Sequence, residues 1–278
     1  MLLDVGCEIS FTIPVPSAMV LMLHLHPSIS ARCFGSEWFQ IVPSMPTSEY
    51  IDLYGNRCTR VFAPAGSVSF RHGASVEDSG LPDPEGLGVY QHPVQQLPAE
   101  TLVFLLASRY CEVDSELKDI AWSLFGHVPA GWPLVRAICD YVNQRIRFDY
   151  MLARADRTAL EAYRECVGVC RDYMHLAITF CRCLNIPARY CTGYLGDIGV
   201  PPAASPMDFS AWFEVYLGGN WFALDARNNT PRIGRILIAR GRDAADVALT
   251  TTFGINRLES FSVRTNVAPA RTTARSFA

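Results

Sequence analysis

The opening stretch of the chain alternates between apolar and polar positions in short runs. Cys7 to Ile13, Met19 to Leu25, Tyr50 to Tyr54 and Thr59 to Phe62 are the clearest of them. Pro, Gly, Ser and Asn separate these runs, as in LYGNRC and APAGS, and such punctuation marks strands and turns. Residues 1–85 therefore predict an antiparallel β domain. The segment Glu77 to Pro98, rich in Pro, Gly and acids, reads as a linker.

After it the rhythm becomes helical. Ala99 to Tyr110 places Leu102, Leu105 and Leu106 on one face, and Asp114 is the expected N-cap of a helix over Ser115 to Phe125. Pro133 to Ile146 carries Val135, Ile138, Cys139, Val142 and Ile146 at helical spacing. Strands return after residue 186, and the polar, small-residue stretch 266–278 reads as a flexible tail. A core domain over 86–265 completes this division, with no internal repeat of solenoid period.

Composition narrows the function classes. Half of the 278 residues are hydrophobic and 18% are charged, which suits a globular chain that buries a core. A net charge of -3 offers no electrostatic case for nucleic acid or an anionic membrane. The first residues lack a basic segment followed by a long apolar one, and Ala18 to Leu25 is too short to span a bilayer. A cytoplasmic protein is expected. Ten cysteines without paired CxxC spacing favour neither a disulfide framework nor a zinc site, so no metal and no cofactor is expected.

One cysteine stands apart by position. Cys170, Met174, Ala177, Cys181 and Leu184 form one helical stripe, with Gly168 just ahead of it. Cys170 then sits in a first helical turn, where free N–H groups and the positive dipole end favour a thiolate and cradle an oxyanion. A buried structural cysteine is the competing reading, and it is the one adopted for Cys166, Cys181 and Cys183. Asp172 suits a first turn in either case. His175 lies about 140° around the helix from Cys170, which points it away from a role as base.

Downstream, SAWFEVYL and WFALD flank Gly218-Gly219-Asn220, a hairpin signal. With Gly218-Gly219 as the loop, Phe213, Val215, Phe222 and Leu224 share an apolar face. Ser210, Trp212, Glu214, Tyr216, Trp221 and Asp225 share the other. Ser210 and Asp225 become diagonal neighbours within about 7 Å. A histidine at 210 would complete a nucleophile, base and orienter set, whereas an ordinary hairpin with a surface Asp is the alternative. Trp212 and Trp221 are candidates to wall a cleft.

GVCRDYMHLAITFCRCLNIPARYCTGY, then SAWFEVYLGGNWFALDARNNTPR, then GRDAADVALTTTFG, resembles bacterial transglutaminase-like proteins of the cysteine-protease kind. The resemblance extends over nearly the whole chain and implies an α+β fold. In that fold an N-terminal antiparallel, sandwich-like β domain precedes a papain-like core, with the Cys helix packed on an antiparallel sheet. It also implies a Cys-His-Asp triad, in which Cys170 and Asp225 take two places and Ser210 stands where the family has histidine. The implied reaction is acyl transfer from a peptide or protein amide through a thioester, with the Cys170 N–H as one oxyanion donor. Serine does not serve as a base near neutral pH, so the site reads as assembled but weak or idle. A catalytically inert peptide-binding module on the same fold is the alternative. Protease, amidase and transglutaminase use one triad, and residue types alone do not separate them.

Overall fold

The computed structural model describes residues 1–202 and 206–268. Its first strands are β1 (Leu2–Ile13), β2 (Ser17–Leu21), β3 (Trp38–Val42), β4 (Thr47–Ile51), β5 (Arg57–Ala63) and β6 (Gly66–Glu77). In β1 the alternation is broken only at buried Gly6: Leu3, Val5, Cys7, Ile9, Phe11 and Ile13 are buried, and Asp4, Glu8, Ser10 and Thr12 are less so. Such a strand covers a core on one face only.

The helical part follows with α1 (Ala99–Leu102), α2 (Leu117–Phe125), α3 (Trp132–Arg145), β7 (Arg147–Phe148), α4 (Ala159–Glu165), β8 (Val167–Gly168) and α5 (Cys170–Cys183). The chain ends with β9 (Ala188–Tyr194), β10 (Ser210–Leu217), β11 (Asn220–Leu224), β12 (Ile236–Gly241), β13 (Thr250–Thr252) and β14 (Arg257–Val267). Three four-stranded antiparallel sheets result, ordered β14-β1-β6-β3, β13-β2-β5-β4 and β11-β10-β9-β12. A short parallel pair, β7 with β8, stands beside them. This is the expected α+β architecture of antiparallel sheets and a helical core.

Three local expectations are corrected. The helix over Ala99 to Tyr110 stops at Leu102 and tightens into a 3-10 turn at Val103–Leu105. Phe104 is buried while Leu102 and Leu106 stay exposed, so no continuous apolar face sustains it. In α2 the N-cap is Glu116 rather than Asp114, and the Ser115 hydroxyl accepts the Leu117 N–H at 3.3 Å. The linear division of the chain also differs. β13 pairs with β2 and β14 with β1, so residues expected in the core domain complete the N-terminal sheets. Residues 266 and 267 belong to β14, and the expected tail beyond 268 lies outside the described residues.

The sheets share one hydrophobic core, which runs from Leu3 and Phe70 through α5 to Phe213 and Ile236. Polar contacts join the parts as well. His72 of β6 meets the Tyr194 hydroxyl of β9 at 2.8 Å, and fully buried Asn56 exchanges two 2.8 Å hydrogen bonds with the Arg240 backbone of β12. α5 lies between the other helices and the β9–β10 face. A fragment of residues 1–85 therefore lacks β14 and β13, and leaves one edge of β1 and of β2 unpaired. It is expected to show no cooperative thermal unfolding by circular dichroism, whereas the full chain does.

Candidate active site

The loop before α5 fixes where Cys170 sits. α4 opens with a Thr158–Glu161 capping box and closes at Cys166 in the left-handed region, φ 57°. Val169 is extended at φ -110°, and Cys170 follows as the first helical residue. The buried Asp172 carboxylate accepts the Val169 N–H at 2.9 Å and Arg157 Nη1 at 3.1 Å. Gly168 lies so near that a Cβ there would come within 2.8 Å of the same carboxylate. Only glycine leaves room for this contact. Asp172 is thus a buried anchor, more than the first-turn acid its position implied.

Burial pushes the Cys170 thiol from 9.0 up to about 11. The Arg227 guanidinium and the Arg171 backbone N–H pull it down, while the Asp208 and Asp225 carboxylates push it further up. The structure therefore brings Cys170 and Asp225 into one electrostatic neighbourhood. Asp225 is buried at the end of β11, and its Oδ1 accepts the N–H groups of Arg227 and Asn228, each at 3.0 Å. Its Oδ2 accepts Asn228 Nδ2 at 2.7 Å and faces Arg235 at 3.8 Å.

Ser210 begins β10, pairs with Gly193 and accepts the Thr192 hydroxyl on its carbonyl at 3.3 Å. The hairpin has the register read from sequence, with Leu217 opposite Asn220 and both Gly218 and Gly219 at positive φ. Pairing stops at Phe213–Leu224, because Asp225 leaves the ladder to cap its own turn. The diagonal Ser210–Asp225 pair expected from sequence therefore lies beyond the last paired residues of the ladder.

Two neighbours of the thiol escape the sequence reading. Asp208 lies two residues before Ser210, and Arg227 lies two after Asp225. Desolvation raises the Asp208 carboxyl, which accepts the Tyr150 hydroxyl at 3.3 Å. Arg227 stacks over Phe148 at 3.8 Å. Their only signal is placement just outside the two expected hairpin residues. A cleft of about 620 Å³ opens alongside, lined in part by Arg109, Tyr110, Arg171, Tyr190, Thr192 and Asp208.

His175 is engaged elsewhere. It stacks on Tyr110 with centroids 5.0 Å apart, and its Nε2 accepts the Ala244 N–H at 3.1 Å. Trp212 is buried with Cys191 and Leu237, and Trp221 packs on Phe104, Tyr216 and Arg189, so both are packing residues rather than cleft walls.

Residues 127–226 match the model of the transglutaminase-like superfamily, a span that contains Cys170, Ser210 and Asp225. A crystal structure from Cytophaga hutchinsonii, titled a "putative cysteine protease", superposes with a TM-score of 0.82 at 29% identity, over 96% of this chain and 90% of that one. Residues 127–226 form a transglutaminase-like superfamily domain.

Uncharacterized proteins of Mycobacterium leprae and Mycobacterium tuberculosis are 31% identical over 109 residues and 32% identical over 129. The matched segments span only 39% and 40% of those relatives' length. No helix among the described residues is long and apolar enough to cross a membrane.

In this transglutaminase-like core, the helix start depends on the Gly168–Asp172 contact. Gly168→Ala is expected to lower stability by about 1–3 kcal/mol through overpacking. Asp172→Ala, which leaves buried Arg157 short of a partner, should cost about 3 kcal/mol. Urea denaturation of both variants measures this; unchanged midpoints would remove the anchor assigned to Asp172.

Proposed function

We propose that this protein is a transglutaminase-like acyl-transfer scaffold whose thiol is held protonated, so that it engages peptide or protein amides with little or no turnover. The observation that carries this reading is Cys170 at the first turn of α5 with Ser210, not histidine, at the start of β10; burial and the Asp208 and Asp225 carboxylates push the Cys170 thiol up. The family match and the C. hutchinsonii structure support the scaffold and the class of substrate.

On this scaffold the uncompromised reaction has a clear course. Cys170 thiolate attacks the amide carbon, the first-turn N–H of Cys170 faces the oxyanion, and the amine leaves with a proton. Water or another amine then resolves the thioester. Both proton movements pass through a base between Cys170 and Asp225. On this reading Ser210 takes that role, and its hydroxyl neither takes nor returns a proton near neutral pH. Loss of the proton shuttle costs roughly two to four orders of magnitude in rate. Asp225 gives three acceptor sites to its own turn, which leaves room on Oδ2 for one further donor. A second reading, a purely binding module, draws on the same cleft and on the guanidinium groups of Arg109 and Arg171 that line it.

The pH dependence follows in sign from the raised thiol. Iodoacetamide labelling of Cys170, read by mass spectrometry with Cys170→Ala as control, should rise about tenfold per pH unit from neutrality and level off only near 11. Ser210→His should lift the rate near neutral pH by at least about tenfold. Wild-type labelling as fast at pH 7 as that of an ordinary exposed thiol would sink the protonated-thiol reading. Acceleration in Ser210→His with no amide cleaved would favour the binding module.

A further inference from the structure

A second cluster of chemically capable side chains lies far from Cys170 in the N-terminal sheets. His24 follows β2, Glu37 precedes β3 and His72 lies within β6, and one donor atom of each falls within 4.8 Å of the other two. His24 Nδ1 is 3.2 Å and His72 Nε2 is 2.8 Å from the same oxygen, Glu37 Oε1. Both imidazoles are buried. We propose that His24, Glu37 and His72 form a binding site for a divalent transition metal ion of the zinc class.

The first argument is the arrangement of acceptors. His24 has Glu37 Oε1 on its Nδ1 side and Glu49 Oε1 3.6 Å from its Nε2, which is buried without a hydrogen-bond partner among the described residues. A neutral imidazole has one N–H and one lone pair. Whichever tautomer it adopts, one ring nitrogen therefore turns a lone pair towards a carboxylate oxygen. A cation placed between nitrogen and oxygen removes that conflict, and two imidazoles with one carboxylate are a donor set that suits a zinc-class ion.

The second argument is dimensional. Tetrahedral bonds of about 2.0–2.1 Å hold donors about 3.3–3.4 Å apart. The 3.2 Å pair already fits, and the 2.8 Å pair needs to open by only about half an ångström.

The third concerns the surroundings. His72 Nδ1 lies 2.8 Å from the Tyr194 hydroxyl, so the far nitrogen is held by a partner and Nε2 is aimed at the cluster. Glu37 Oε1 also accepts the Leu25 N–H at 2.7 Å. Arg57 contacts Glu37 and Glu49 at 3.0 and 2.9 Å, through Oε2 of each, which leaves both Oε1 atoms facing the imidazoles. Because Tyr194 belongs to β9, an ion here would brace the N-terminal sheets against the sheet that carries the thiol site.

The test is metal uptake by the full chain after chelator dialysis. Zinc ion alone, titrated calorimetrically, should bind as one equivalent with micromolar or tighter affinity and raise the melting temperature. His24→Asn and His72→Gln should abolish uptake, and Tyr194→Phe should weaken it about 10- to 100-fold. Cobalt substitution of the wild type gives a readout that needs no variant to fold: the visible spectrum should show nitrogen and oxygen ligands without a thiolate charge-transfer band. Absence of uptake by the wild type would overturn the proposal. So would a thiolate band, which places the ion on cysteines, or undiminished uptake in folded His24→Asn and His72→Gln.

Discussion

The buried pair of Arg157 and Asp172 is the constraint on which the thiol site depends. One oxygen of Asp172 meets both the Val169 N–H and the guanidinium, so the turn before α5 and the loop before α4 are tied to a single atom. Buried ion pairs of this sort are poor sources of net stability, because desolvation offsets most of the Coulomb gain. Their strength is in geometry: a helix start that would otherwise fray is held to one conformation. Gly168 completes the arrangement by keeping every other atom out of the way. Cys170 owes its place at the first turn to these three residues rather than to anything in its own side chain.

What the anchor delivers is position, and position alone does not make a nucleophile. Moving a thiol from 9.0 to about 11 disfavours the thiolate by about 3 kcal/mol. A helix N-terminus returns at most about 1 kcal/mol at ordinary exposure, so the dipole does not reverse the balance. Arg227 helps, but Asp208 and Asp225 act against it from the same neighbourhood. In a triad, the imidazolium is the charge that reconciles a thiolate with a nearby carboxylate. Without it, the Asp225 carboxylate only adds to the influences that keep the Cys170 thiol protonated.

How much of this was legible depended on how far apart in the chain each interaction lies. The start of α5 and the Gly218-Gly219 hairpin are local, governed by periodicity and turn chemistry, and the structure has both where the residues imply them. α1 failed because helical spacing of Leu102, Leu105 and Leu106 says nothing about whether a partner surface exists to bury them. The closure of the first sheets by β13 and β14 was invisible, since Leu3 and Val267 pair across nearly the whole chain. The His24, Glu37 and His72 cluster was hidden for the same reason: its members are 13 and 35 residues apart, with no fixed metal-ligand spacing. Asp208 and Arg227 sat in plain view beside the hairpin, but nothing local distinguishes them from loop charges.

The register of β10 explains how the base position could change without loss of the fold. Position 210 contributes its backbone to the ladder opposite Gly193 and a carbonyl to Thr192, and both contacts are independent of the side chain. The burial that holds β10 in the sheet comes from Ala211, Trp212, Phe213, Val215 and Leu217, all downstream. An imidazole at 210 would therefore add chemistry but little packing, and exchanging it for a hydroxymethyl group opens no cavity in the core. Replacing Asp225 is a different matter, because it caps the turn after β11 with three hydrogen bonds. At position 210 the side chain is therefore less tied to the stability of the fold than at Asp225.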